Sequence, residues 1–234
     1  MKELVLKGTK IKGISPLLNS SISKLVKLNL EDNEIENECI DVLKKIKLDK
    51  LTKLNLYKNK ITSIKIFEVL DNLPSLVTFY IGKNPLSEDE MRKNKKKFPF
   101  PNNLLKLGIT ALFNNESIYF LKYLDIENLE ILYLSNNNLI SLVCINQFDF
   151  KNLKELWAPE NNLTDINEVY YIQNKETIEV LNLNGNRISI IDDKFLKRLK
   201  DFPNLKSINL KKNPINENDK NLQKIRDERI TIDM

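Results

Sequence analysis

The sequence predicts an α/β solenoid, a stack of similar coils each built from one short strand and a return segment. Three observations carry that expectation. A frame with apolar residues at positions 1, 4, 6 and 11 and asparagine at position 9 recurs along the chain. Its starting residues, 1, 25, 51, 76, 104, 129, 153, 178 and 205, lie 24 to 28 apart, so about nine units fill the 234 residues. The return segments show apolar residues at helical spacing.

The frame dictates its own local structure. Leu51, Leu54, Leu56, Asn59 and Ile61 form one complete copy, and Leu153, Leu156, Ala158, Asn161 and Leu163 another; seven are complete. Positions 4 and 6 are two apart, so on an extended segment both point to one side while 3, 5 and 7 point to the other. Positions 9 to 11 turn the chain away, and the asparagine side chain can bond to backbone groups left unpaired by the turn, forming a ladder between stacked units. A single unit cannot bury its leucines; stacking gives a continuous core, each buried Leu or Ile contributing roughly 1.5 to 3 kcal/mol. Two copies are weaker. The first places Thr9 at the asparagine position, and the fifth, Leu104, Leu107 and Ile109, places Leu112 there.

On the return side, Glu36 to Lys47 and Asp192 to Phe202 have helical spacing, whereas Ser141 to Phe150 has room for about one turn. After Asn213-Pro214-Ile215 comes a charged, helix-compatible stretch to Arg229, and then Ile230 and Ile232 in an alternating pattern that would add one last strand. Residues 214 to 234 are thus expected to cap the core, within a single domain spanning 1 to 234. The first strand, with Leu4 and Leu6, is expected to present an unpaired edge.

The frame resembles L-x-x-L-x-L-x-x-N-x-L, the signature of leucine-rich repeat proteins, over nearly the whole chain. The resemblance implies a curved solenoid with a parallel β-sheet on its concave face and short helices and turns on its convex face. The short strands and variable helices look most like the intracellular subclass that includes phosphatase-regulating, dynein light-chain and spliceosomal members.

Composition narrows the function classes. Hydrophobic residues at 41% and charged residues at 29% supply a core without the bias of a disordered chain. No stretch approaches the roughly 18 apolar residues of a membrane span, and the charged first ten residues lack a secretory pattern, which predicts an intracellular protein, cytoplasmic or nuclear, with no membrane role. Cys39 and Cys144 are too few and too scattered for a disulfide framework or a zinc site and read as small buried apolar residues. The chain has no histidine, so Ser-His and Cys-His nucleophilic systems are excluded. No phosphate-binding loop or dinucleotide fingerprint is present, and the acidic groups Asp192-Asp193 and Glu88-Asp89-Glu90 read as helix starts. The expectation is a protein with no enzymatic activity, no cofactor and no metal.

What remains is a surface. Position 5 reads Val5, Asn29, Asn55, Tyr80, Gly108, Tyr133, Trp157, Asn182 and Asn209, all facing away from the core. Tyr133 and Trp157 should be neighbours, with Tyr57 and Tyr80 continuing the aromatic stripe beyond Gly108 and Thr110, where a shallow notch is expected. Exposed Trp and Tyr rimmed by polar residues are typical binding anchors. Tyr57, Tyr80, Tyr133, Trp157, Glu155 and Asn182 are therefore the candidate partner-binding residues, the partner being another protein or a multi-subunit complex, and the module a scaffold or regulatory subunit. One alternative is an RNA-associated adaptor using the basic run Arg92 to Lys97. Another is a GTPase-regulating leucine-rich repeat protein, for which no particular residue stands out.

Overall fold

The computed structural model describes residues 1–148, 150–227 and 230–234, with the side chain of Asp227 left aside. Ten three-residue strands form one parallel sheet in strict chain order. They are β1 (Glu3–Val5), β2 (Lys27–Asn29), β3 (Lys53–Asn55), β4 (Thr78–Tyr80), β5 (Lys106–Gly108), β6 (Ile131–Tyr133), β7 (Glu155–Trp157), β8 (Val180–Asn182), β9 (Ser207–Asn209) and β10 (Thr231–Asp233). Each strand covers positions 3 to 5 of its frame, and the register keeps position 4 in one column, Leu28 pairing Leu54, Leu54 pairing Phe79, and so on to Ile232. From Leu28 to Ile208 that column is fully buried, and one continuous apolar cluster runs the length of the stack. The sheet forms the concave face of the solenoid, and helices and turns form its convex side.

The turn after each strand has a conformation that few of its residues advertise. Position 8 lies in the left-handed region in every frame: Gly8, Asp32, Lys58, Lys83, Ala111, Asn136, Glu160, Gly185 and Lys212 have φ between 50° and 69°. This twist aims the position-8 N–H at the position-7 carbonyl of the next coil, as in Lys58 to Gly82 at 2.9 Å and Ala111 to Ser135 at 2.8 Å. Left-handed backbone costs an L residue roughly 1 to 2 kcal/mol, against which glycine's extra unfolded-state entropy is about 0.4 to 1. Ala111→Gly is accordingly expected to stabilise the protein by about 0.5 to 1 kcal/mol in urea denaturation; a destabilised variant would show that the turn carries no strain.

The asparagines form the expected ladder. Asn59 donates from Nδ2 to Leu30 O and Leu56 O, both at 3.0 Å, and accepts from Ile35 N at 3.1 Å. Asn33, Asn84, Asn161, Asn186 and Asn213 repeat the pattern between adjacent coils. The fifth frame breaks it. Leu112 supplies no amide, so the Leu86 N–H turns to its own coil's Asn84 O at 2.9 Å, and Asn137 restarts the ladder by accepting from Leu112 N and Phe113 N.

Repeat length decides what the return segment becomes. The second, fourth and eighth frames are 26, 28 and 27 residues long. They carry α1 (Glu38–Lys45), α2 (Glu88–Lys93) and α3 (Asp193–Arg198). Frames of 24 or 25 residues carry 3₁₀ segments instead, such as Ile64–Asn72, Ser117–Tyr123 and Val143–Gln147. A 3₁₀ helix advances about 2.0 Å per residue against 1.5 Å for an α-helix, so fewer residues cross the same convex edge. Asp192 to Phe202 splits accordingly, the α-helix tightening to a 3₁₀ turn at Leu199–Asp201.

At the end of the chain, α4 (Lys220–Asp227) buries Leu222 and Ile225, and β10 pairs with β9, giving the final strand that the alternation of Ile230 and Ile232 predicts. Glu228 and Arg229 of the charged stretch, and Asp149 of the segment Ser141 to Phe150, lie outside the described residues. At the opposite edge of the sheet, Leu4 and Leu6 in and beside β1 are half-buried. Cys39 and Cys144 are free and buried, and burial raises their thiols to about 12 and about 11, so they pack as apolar residues.

Candidate functional site

The sheet's outer face is where the sequence leaves chemistry unspent. Trp157 stands on β7 with its indole on that face and partly exposed, while Ala158 beside it is fully buried. The indole N–H donates to Glu155 Oε2 at 2.8 Å, a bond between two residues of one strand that share its outer face. Tyr133, paired with Trp157 in the register, brings its ring centroid to 5.8 Å from the indole at an interplanar angle of 40°.

The expected notch beside Tyr133 is closed. Gly108 has no side chain to hold the neighbouring strands' rings apart, so the Tyr80 ring lies across it and meets Tyr133 at 6.0 Å. A Cβ added at Gly108 would sit 2.2 Å from Tyr80 Cδ1. Burial first, then the neighbouring Tyr80 and Glu155, push the Tyr133 hydroxyl up to about 12. Burial raises Tyr80 as well. The result is a continuous ladder, Tyr80–Tyr133–Trp157, spanning three strand spacings or roughly 14 Å. Gly108→Ala is expected to displace Tyr80, cost about 1 to 2 kcal/mol and alter the near-ultraviolet circular dichroism of the ladder. An unchanged spectrum and stability would mean that the ring moves aside freely.

Tyr57 and Asn182 stand differently from what the residue pattern suggests. Tyr57 occupies position 7 rather than 5 and makes no ring contact with Tyr80 among the described residues; instead Lys83 Nζ lies 5.7 Å from its ring centroid. The stripe therefore does not run through it. Asn182, opposite Trp157 in the register, is only 8% exposed, and its Oδ1 accepts the Asn184 N–H just beyond its strand. Asn29, Asn55 and Asn209 make the same two-residue bond, so much of the outer asparagine column serves the strand ends.

The other features proposed from sequence have local explanations. In the basic run, Arg92 and Lys93 pair along α2 with Glu88 and Asp89 at 3.1 and 2.6 Å, and Lys96 reaches Glu68 at 3.0 Å, leaving Lys95 and Lys97 exposed. Glu90 accepts from Ser63 Oγ and Ile64 N on the preceding coil. Asp192 caps α3 by accepting from Phe195 N at 2.8 Å; burial pulls its carboxyl up, but this bond and the one from Asn167 outweigh it and hold it below the usual range. No helix of the described residues is long and apolar enough to cross a membrane.

The family profile described as Leucine Rich Repeat matches residues 128–149, which begin just before the sixth frame and include β6 and its Asn137 turn. That local match agrees with the ten parallel strands and the asparagine ladder, which define the fold. The chain is a leucine-rich repeat solenoid. A leucine-rich repeat protein of Leptospira interrogans superposes on 100% of the chain with a TM-score of 0.64 at 21% identity, and the chain spans 60% of that protein's length. Internalin C2 of Listeria monocytogenes gives 0.58 at 21% identity over 89% of this chain and 80% of its own. Human 5T4, also described as Wnt-activated inhibitory factor 1 or trophoblast glycoprotein, gives 0.66 at 17% identity over 91% and 77%. At these identities the likeness is one of fold. No curated protein matches the chain by sequence. The leucine-rich repeat fold serves in general as a protein-interaction module, because its sheet offers a broad face that the core does not need.

Proposed function

We propose that this solenoid is a non-catalytic interaction module that grips another protein along its concave sheet, as a scaffolding or regulatory subunit of an intracellular assembly. The observation that supports it is the Tyr80–Tyr133–Trp157 ladder. Large aromatic rings are held in fixed relation by Gly108 and by the Trp157–Glu155 bond, yet remain partly exposed on a face where the fold has no use for them. Rigid aromatic anchors lose little conformational entropy on binding and supply most of the energy at many interfaces. Cross-strand packing explains why the rings touch each other; it does not explain why three of them gather on the solvent side within four consecutive strands. The two separate buried thiols fit a reducing compartment.

Capture from native cells with the intact chain, compared with Trp157→Ala and Tyr133→Ala, tests the reading. A partner retained by wild type and lost by both folded variants supports it. Partners retained equally by all three would move the interface elsewhere.

A further inference from the structure

The concave face is electrically lopsided, and the asymmetry points to the chemistry of what it holds. Several lysines along the solenoid reach a carboxylate on an adjacent coil: Lys7 pairs with Glu31 at 2.7 Å, Lys58 with Asp32 at 2.8 Å, Lys60 with Glu34 at 3.0 Å and Lys154 with Glu130 at 2.8 Å. Lys53, Lys83 and Lys106 do not. Among the described residues none of the three forms an ion pair, although Lys53 and Lys106 are half-buried on the sheet itself. They flank Thr78 in the register, on β3 and β5, and Lys83 lies just beyond β4.

Two of these cations stand against aromatic residues. Lys53 Nζ is 5.3 Å from the centroid of the Tyr80 ring and Lys83 Nζ 5.7 Å from that of Tyr57. A ring quadrupole offsets part of an ammonium's charge, about 0.5 to 1 kcal/mol at such partly exposed sites, and leaves its three donors unsatisfied by any carboxylate. Across the third to ninth frames, positions 3, 5 and 7 hold only one acid, Glu155, and its Oε2 is engaged by the Trp157 indole. The trough over the third to fifth coils is thus cationic and aromatic, whereas on the first two coils Lys7 and Lys27 are matched by Glu31 and Glu3.

We propose that the third to fifth coils bind an Asp- and Glu-rich segment of the partner protein, whose carboxylates pair with Lys53, Lys83 and Lys106 while an adjoining apolar side chain meets Trp157. This rests on the concave-face reading above and adds the partner's charge to it. Lys53 and Lys83 each lie over one face of Tyr80 and Tyr57, which leaves those faces less open to base stacking and favours a peptide over a polynucleotide.

Fluorescence anisotropy with the full chain tests this. The probes are a labelled acidic peptide carrying one phenylalanine, its Asn/Gln counterpart, and a short single-stranded RNA of mixed sequence. The acidic peptide is expected to bind about tenfold tighter than the amide peptide, with a preference that weakens as salt rises. Changing Lys53, Lys83 and Lys106 together to Gln is expected to abolish the preference, whereas the equally large charge change Lys24, Lys50 and Lys65 to Gln preserves it. No binding at millimolar acidic peptide, equal loss in the control triple, or an RNA affinity that exceeds the peptide's and falls with the Lys53 triple overturns the proposal. If both peptides bind alike and Trp157→Ala still weakens them, the acidic chemistry fails and the concave-face reading stands. Peptide binding indifferent to both the lysine triple and Trp157→Ala removes both.

Discussion

Asn161→Ala is expected to destabilise the protein by about 3 kcal/mol, because one side chain satisfies backbone groups of two coils at once. Its Nδ2 donates to Leu134 O at 2.9 Å and Ala158 O at 3.1 Å, and its Oδ1 accepts from Asn137 N at 2.9 Å and Leu139 N at 3.0 Å. The residue is 5% exposed, so alanine leaves these groups facing an interior that water does not readily reach. Each buried donor or acceptor left unpaired costs about 1 to 3 kcal/mol, and local relaxation recovers part of the total. Asn161→Asp should also destabilise, since it keeps the acceptor but turns an anionic oxygen toward two carbonyls. Urea denaturation measures both; a loss below about 1 kcal/mol for alanine would show that the ladder is incidental to stability. Leu112 shows how the fold manages without a rung: Leu86 N is redirected to Asn84 O, and Leu112 packs half-buried against the core.

Much of this architecture is legible in the residue pattern, and for definite reasons. The frame names the strands because position 4 must be apolar in every coil, and β1 to β10 follow it without a slip in register. The lengths between frames also foretell which return segments become α-helical, since only frames of 26 residues or more leave room for the shorter rise. Four things are not legible. The left-handed turn at position 8 is occupied by Lys, Asp, Glu and Ala as well as glycine and asparagine, because the inter-coil bond imposes it over local preference. Gly108 reads as a gap between aromatic pairs, yet its missing side chain is what lets Tyr80 reach Tyr133. Asn182 reads as an outward polar group, but its oxygen is held by the backbone N–H of Asn184 just beyond its strand. The isolated lysines also needed coordinates, since ion pairing depends on which side chains of adjacent coils meet.

Trp157→Ala carries the largest expected functional effect. The indole spans the end of the ladder against Tyr133 and holds Glu155, so its removal takes away the biggest exposed ring and frees a carboxylate in an otherwise neutral stretch. Its structural share is modest: cross-strand aromatic packing contributes about 0.5 to 1.5 kcal/mol, while the neighbouring core residues Leu156 and Ala158 stay in place. Truncating an anchor of this kind costs an interface about 2 kcal/mol or more, roughly thirtyfold in Kd. Titration of the captured partner against wild-type and Trp157→Ala chains, each checked for an intact thermal transition, therefore tests the concave-face account most directly. The account predicts at least a thirtyfold weaker Kd in a folded variant; an unchanged Kd in that folded variant would contradict it.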